Sequence, residues 1–128
     1  MSPTRCYAMS PSERYVALAK NALSDVPELG LPAMTLLMES FRPRVASCVA
    51  PLHAGMRGPI LTQTAYTEHA LVTVAAQLDT CTACTDDALH AWVSIQTTRA
   101  VLDLHRALRQ AVRARRRQRV AAPSVRAA

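Results

Sequence analysis

The chain has 128 residues, half of them apolar, with only three glycines, four cysteines and a formal net charge of +6. That length suits one domain able to bury a core without disulfide or metal staples. Glu68, His69 and Gln77 interrupt the most hydrophobic stretch, so no segment approaches the roughly 20 apolar residues of a membrane span. Met1 to Arg14 mixes Arg5, Glu13 and Arg14 with prolines and lacks the apolar run of a secretion signal, so an intracellular protein with reduced thiols is expected.

Ala, Leu, Val, Arg and Gln dominate the composition, a bias that suits helices better than sheets. In Ser10-Pro11-Ser12-Glu13, Ser10 reads as an N-cap, Pro11 as the first helical residue and Glu13 as the closing acid of a capping box. The helix is expected to reach about Ser24, with Tyr15, Val16, Ala19, Ala22 and Leu23 forming one apolar stripe. Asp25 to Pro32, with two prolines and Gly30, reads as a connection, and Ala33 to Phe41 as a short helix that Pro43 ends. Val45, Cys48, Val49 and Leu52 continue a helical stripe that Pro51 is expected to kink or split, and Gly55, Gly58 and Pro59 close it.

Thr62 or Thr64 caps a further helix carrying Tyr66, Ala70, Leu71, Val74, Ala75 and Leu78 on one face. Thr85-Asp86-Asp87 then opens the longest uninterrupted element, with nothing to break it before Pro123. Along it Leu89, Trp92, Val93, Gln96, Ala100, Leu104, Leu108 and Ala111 form a stripe. Ile95, Val101 and Leu102 widen that apolar surface beyond what one neighbour covers. The expected architecture is all-α: a small bundle built around a helical hairpin (62–112), with a long last helix ending in a basic arm. The helical domain is placed at 1–112 and the arm at 113–128.

Through Leu104 the chain carries seven Lys or Arg against nine Asp or Glu, whereas from His105 onward it carries eight Arg and no acid. The cluster Arg113, Arg115, Arg116, Arg117 and Arg119 therefore suits nucleic acid, an acidic partner or an import receptor. No aromatic residue is interleaved to stack on bases, which disfavours sequence-specific reading of single strands.

Of the cysteines, only Cys81 and Cys84 form a unit. Cys84 sits just ahead of a helix N-terminus, whose dipole favours a thiolate. The pair is open to three readings: plain loop thiols, a redox dithiol, or half of a zinc site. Zinc would need two more ligands, of which His69 and His90 are the nearest, at a spacing that fits no standard finger. Glu68 is a candidate general base for a nearby thiol or a solvated helix residue. His105, beside Leu104 and Leu108, reads as a hydrogen-bonded packing residue.

The turn Cys81-Thr82-Ala83-Cys84, followed by Leu102-Asp103-Leu104-His105 and Leu108-Arg109, resembles the second, small subunit of the herpesvirus tripartite terminase. Pro43-Arg44-Val45 and Leu61 extend the likeness over about residues 36 to 109. Leu61-Thr62 replaces that family's usual Leu-Asn, the histidine common just after its cysteine is absent, and the arginine arm is additional. The resemblance implies a non-catalytic adaptor in the infected-cell nucleus. It would join the ATPase-nuclease and DNA-recognition subunits during genome packaging, with any DNA contact indirect or through the arm. The surplus apolar surface of the last helix separately points to docking of a partner, expected at Trp92, Leu102, Leu104, His105 and Leu108. A chain not of viral origin would be placed in the cytoplasm.

A second set, Glu68, Cys81, Cys84 and His90, is similar to the site of the alkylhydroperoxidase D and carboxymuconolactone decarboxylase superfamily. That likeness implies a thiol peroxidase in which Cys84 attacks peroxide while Glu68 and His90 relay protons. His90 lies six residues past Cys84 rather than the family's usual four, a shift of about 200° around a helix. The family's helix-ending glycine is also missing. An adaptor without catalysis, and without a required cofactor, is the expected outcome.

Overall fold

The computed structural model describes residues 13–121 and contains four α-helices, one 3-10 turn and, among the described residues, no strand. The helices are α1 (Arg14–Ala22), α2 (Pro27–Ala54), α3 (Gln63–Gln77) and α4 (Asp86–Ala121), with the 3-10 turn Leu78–Thr80 after α3. The expected cap at Ser10 and Pro11 lies outside the described residues.

Each of α2, α3 and α4 packs against the other two, and α1 lies against α2 and α4. The contacts give an alternating up-and-down order. Tyr66 at the start of α3 meets His105 far along α4, and Cys48 of α2 meets Ser94 of α4. Leu37, Phe41, Val45 and Val49 of α2, Tyr66, Ala70 and Val74 of α3, and Val93, Thr97 and Val101 of α4 are fully buried. Their three-to-four spacing puts one stripe of each helix on a common axis. The all-α bundle around the α3–α4 hairpin is therefore as the periodicity predicts.

Two helix starts also follow the sequence. Thr62 Oγ1 accepts from the Ala65 N–H at 3.1 Å, and Thr85 Oγ1 accepts from the Ala88 N–H at 3.1 Å. Both hydroxyls satisfy an amide that the first helical turn leaves without a partner.

The second quarter of the chain departs from expectation. Asp25 to Pro32 is not a connection: α1 ends at Ala22, and after a short turn α2 begins at Pro27 and runs unbroken to Ala54. Pro43 does not end it and Pro51 does not split it; Pro32, Pro43 and Pro51 all lie inside the helix. The reason is their placement, since all three are exposed. A proline removes one N–H and frees the carbonyl four residues back, and on the solvent side water takes that carbonyl. The buried face, one turn after another from Ala33 to Val49, holds the helix together across them. Gly30 serves close approach. A Cβ there would stand 2.9 Å from the Ser24 carbonyl oxygen and 3.4 Å from that of Ala22, so the start of α2 can lie against the end of α1 only without a side chain.

The N-terminus of α1 receives no cap from its own Glu13. Asp86, the first residue of α4 and 3% exposed, supplies it instead. Its Oδ2 accepts from the Tyr15 N–H at 3.0 Å and its Oδ1 from the Val16 N–H at 2.9 Å. One carboxylate thus sits at the positive end of two helices.

Asp86→Ala should cost about 2–4 kcal/mol, because it strands two amides bonded to a charged acceptor, and Asp86→Asn about half that; urea unfolding measures both. Thr97, with no exposure and an Oγ1 that has no partner, should behave oppositely. Thr97→Val should stabilise by about 0.5–1.5 kcal/mol, since an unsatisfied buried hydroxyl is replaced by a methyl of similar shape.

Candidate functional site

Cys81 and Cys84 occupy the turn between the 3-10 segment and α4. Cys81 is partly buried against the core and Cys84 is exposed; both are free thiols. They border a cavity of about 250 Å³ whose other walls are mainly apolar, including Val16, Ala19, Leu23, Leu78 and Leu89, with Lys20 at its edge. Neither Glu68 nor His90 lines this cavity.

Glu68 faces out from α3 and is held in an ion pair by Arg42 of α2, which also reaches Glu39 at 3.4 Å. The hydrogen bonds to Glu68 and then Glu39 raise the Arg42 pKa above its ordinary value. Glu68 therefore clamps α2 to α3 at the surface. His69 is exposed on α3. Among the described residues no group of three or more His, Cys, Asp or Glu side chains is gathered as a metal site needs. Cys81 and Cys84 are two of the four ligands that a tetrahedral zinc takes, and no described His, Asp or Glu is grouped with them.

His90 lies on the α1–α2 side of α4. Its ring stands edge-on to Tyr15 at 5.1 Å between centroids and to Phe41 at 6.1 Å. It borders a second cavity of about 460 Å³ together with Tyr15, Ser40, Arg44, Ser47 and Cys48. The Cys48 thiol donates to Ser94 Oγ at 3.6 Å, and the Ser94 hydroxyl donates to the His90 carbonyl at 3.1 Å. The His90 Nδ1 is buried without a hydrogen-bond partner. Burial first, and Arg44 second, lower the His90 pKa against the opposing pull of Asp86 and Asp87. This meeting of Tyr15, Cys48 and His90 had no signal in the sequence, because the three belong to different helices with no motif linking them.

The expected docking residues of α4 divide by exposure. Trp92, Leu104 and Leu108 are partly buried and pack against the chain's own core. His105 is also partly buried, and its Nδ1 hydrogen-bonds the Tyr66 hydroxyl at 3.0 Å. Tyr66 has no exposure, so its hydroxyl needs that partner; His105 is the packing histidine the sequence suggests. Leu102 remains 42% exposed, and Ile95, seven residues earlier on the same side, is 51% exposed. Val101, which was grouped with them, is fully buried.

Leu29, Leu31 and Leu36 on α2 are also exposed, Leu31 on nearly the opposite side of the helix from the other two; the expected connection and short helix give no sign of them. Arg113, Arg115, Arg116, Arg117 and Arg119 are all exposed on a helix that passes 112 without interruption, so the arm continues α4 as far as Ala121. Ala111, expected in the apolar stripe, is exposed instead, while its neighbour Val112 is partly buried.

No protein-family model, curated protein or solved structure matches this chain. No helix among the described residues is long and apolar enough to cross a membrane.

The lowered His90 pKa sets a pH dependence. The unfolded imidazole takes up its proton below about pH 6.5 while the folded ring still resists it. Stability is therefore full above that pH and declines as pH falls, until the folded ring titrates too. Thermal melts between pH 7.5 and 5 should show this decline, and His90→Gln should flatten it.

Proposed function

We propose that this chain is a non-catalytic helical adaptor whose α4 docks a larger protein partner. The observation that carries this reading is the exposure of Ile95 and Leu102, about two turns apart on one side of α4. The helix has already packed against α1, α2 and α3, and among the described residues nothing more covers that side. An apolar side left over in this way suits an interface.

The partner we propose is the assembly implied by the sequence resemblance. In that assembly the chain would join the ATPase-nuclease and DNA-recognition subunits of a viral DNA-packaging terminase in the host nucleus. Support comes from the placement of the resembling residues: Cys81-Thr82-Ala83-Cys84 joins two antiparallel helices, and Leu102-Asp103-Leu104-His105 lies where α4 meets the start of α3. The thiol peroxidase reading has less support. Glu68 is engaged with Arg42, His90 packs against Tyr15 and Phe41, and neither borders the cavity at Cys81 and Cys84.

The exposure pattern also selects the test. Leu104 and Leu108 hold the chain's own core, so charged substitutions there would damage the fold itself. Ile95→Asp with Leu102→Asp should leave the melting temperature within a few degrees of wild type. It should weaken co-purification with co-expressed ATPase-nuclease and DNA-recognition subunits by about ten-fold or more, the effect of losing an interface hot spot. Unchanged co-purification, or turnover of a hydroperoxide with a dithiol reductant that Cys84→Ser abolishes, would count against the adaptor.

A further inference from the structure

The basic character of α4 is not confined to a solvated tail. Arg57, from the loop between α2 and α3, converges with Arg109, Arg113 and Arg116 of α4 around a notch of about 390 Å³ whose remaining lining is Gly58, Ile60 and Val112. The α4 arginines are four and three residues apart, which keeps them on one side of the helix at intervals of about 6 and 4.5 Å. Arg109 Nη1 donates to the Arg57 carbonyl at 2.9 Å, fixing the loop against the helix. Gly58, with φ +59°, supplies the left-handed bend that turns the loop there.

Four guanidiniums share this notch with no carboxylate in its lining. The ion pairs among the described residues are Arg42 with Glu39 and Glu68, and Arg106 with Asp103; none includes Arg57, Arg109, Arg113 or Arg116. Like charges held together without a counterion repel one another, and in a concave site their field is focused outward. A bound polyanion relieves that repulsion.

We propose that this notch grips the phosphate backbone of duplex DNA, independently of sequence and of any protein docked at Ile95 and Leu102. Guanidinium forks match tetrahedral phosphate oxygens in pairs. From Arg106 to Arg119 α4 carries seven arginines and no acid over about 20 Å. Over that length a duplex, with one negative charge per roughly 1.7 Å of axis, carries about twelve charges, whereas an extended acidic peptide carries about six, alternating between two faces, fewer than the arginines present. Single strands are held chiefly by bases stacking on aromatic rings, and the notch contains no aromatic residue.

The test compares two double variants of the full chain, each removing two charges. Arg57→Gln with Arg113→Gln empties half the notch, and it keeps the Arg57 carbonyl that holds Arg109. Arg115→Gln with Arg119→Gln removes two charges of α4 that do not line the notch. Binding to a fluorescent mixed-sequence duplex of about 20 base pairs is followed by anisotropy from 50 to 200 mM salt, with thermal melts confirming the fold. The notch variant should lose about ten-fold or more in affinity, and its slope of log affinity against log salt should shrink by about 1.8, the value for two lost phosphate contacts. The control variant should lose several-fold less. Equal losses from both variants would overturn the notch in favour of a diffuse charged arm. Displacement of the duplex by poly-glutamate at equal charge concentration would overturn it in favour of an acidic protein. Absence of duplex binding at 50 mM salt would overturn it outright.

Discussion

The Asp86 carboxylate ties together the two ends of the described bundle. It holds the first amides of α1 from the start of α4, some 70 positions away in the chain. A nine-residue helix such as α1 is too short to persist alone in water, so its presence depends on what it docks against. Once docked, α1 contributes Val16, Ala19 and Ala22 to the core, walls the cavity beside Cys81 and Cys84, and sets Tyr15 against His90. A single buried acid thereby determines the surroundings of both the thiol turn and the unpartnered imidazole.

The parts of this fold that could be read from the sequence are those whose causes are local. Thr62 and Thr85 cap the helices that follow them because a hydroxyl three residues ahead of an amide suffices, and no distant residue is needed. The stripes on α3 and α4 were equally plain. The division of α2 failed because proline was read by its presence rather than by its side of the helix, which only the packed structure reveals. Asp86 was legible as an acid at its own helix start but not as the cap of another. The separation of Glu68 and His90 from the cysteine turn depends on how three helices are rotated about one another, and spacing along the chain constrains that weakly. The packing of α4 was half legible: Leu102 and Ile95 remain exposed, while Trp92, Leu104 and Leu108 pack against the chain's own core.

The long last helix divides its labour along its length. Its first half buries Leu89, Val93, Thr97, Ala100 and Val101 among three neighbours, and no residue of its second half is more than partly buried. The change of character comes near His105, whose ring hydrogen-bonds Tyr66 of α3. Beyond it acids cease and arginines accumulate. Ile95, Leu102, Arg109 and Arg116 follow one another at seven-residue intervals, drifting only about 20° around the axis at each step. Apolar and cationic surfaces are therefore consecutive segments of one face, and a partner seated on the first would lie beside a polyanion seated on the second.

The three prolines within α2 carry a mechanical corollary. Each leaves a missing rung in the amide ladder, opposite the carbonyls of Glu28, Glu39 and Ser47, all exposed residues. Helices of globular proteins curve with their solvent side convex, since outward-tilted carbonyls lengthen their bonds there. Prolines on that side relax the ladder where stretching would otherwise be resisted. α2 thus runs unbroken with three rungs missing from its outer side, its continuity resting on the buried seam from Ala33 to Val49.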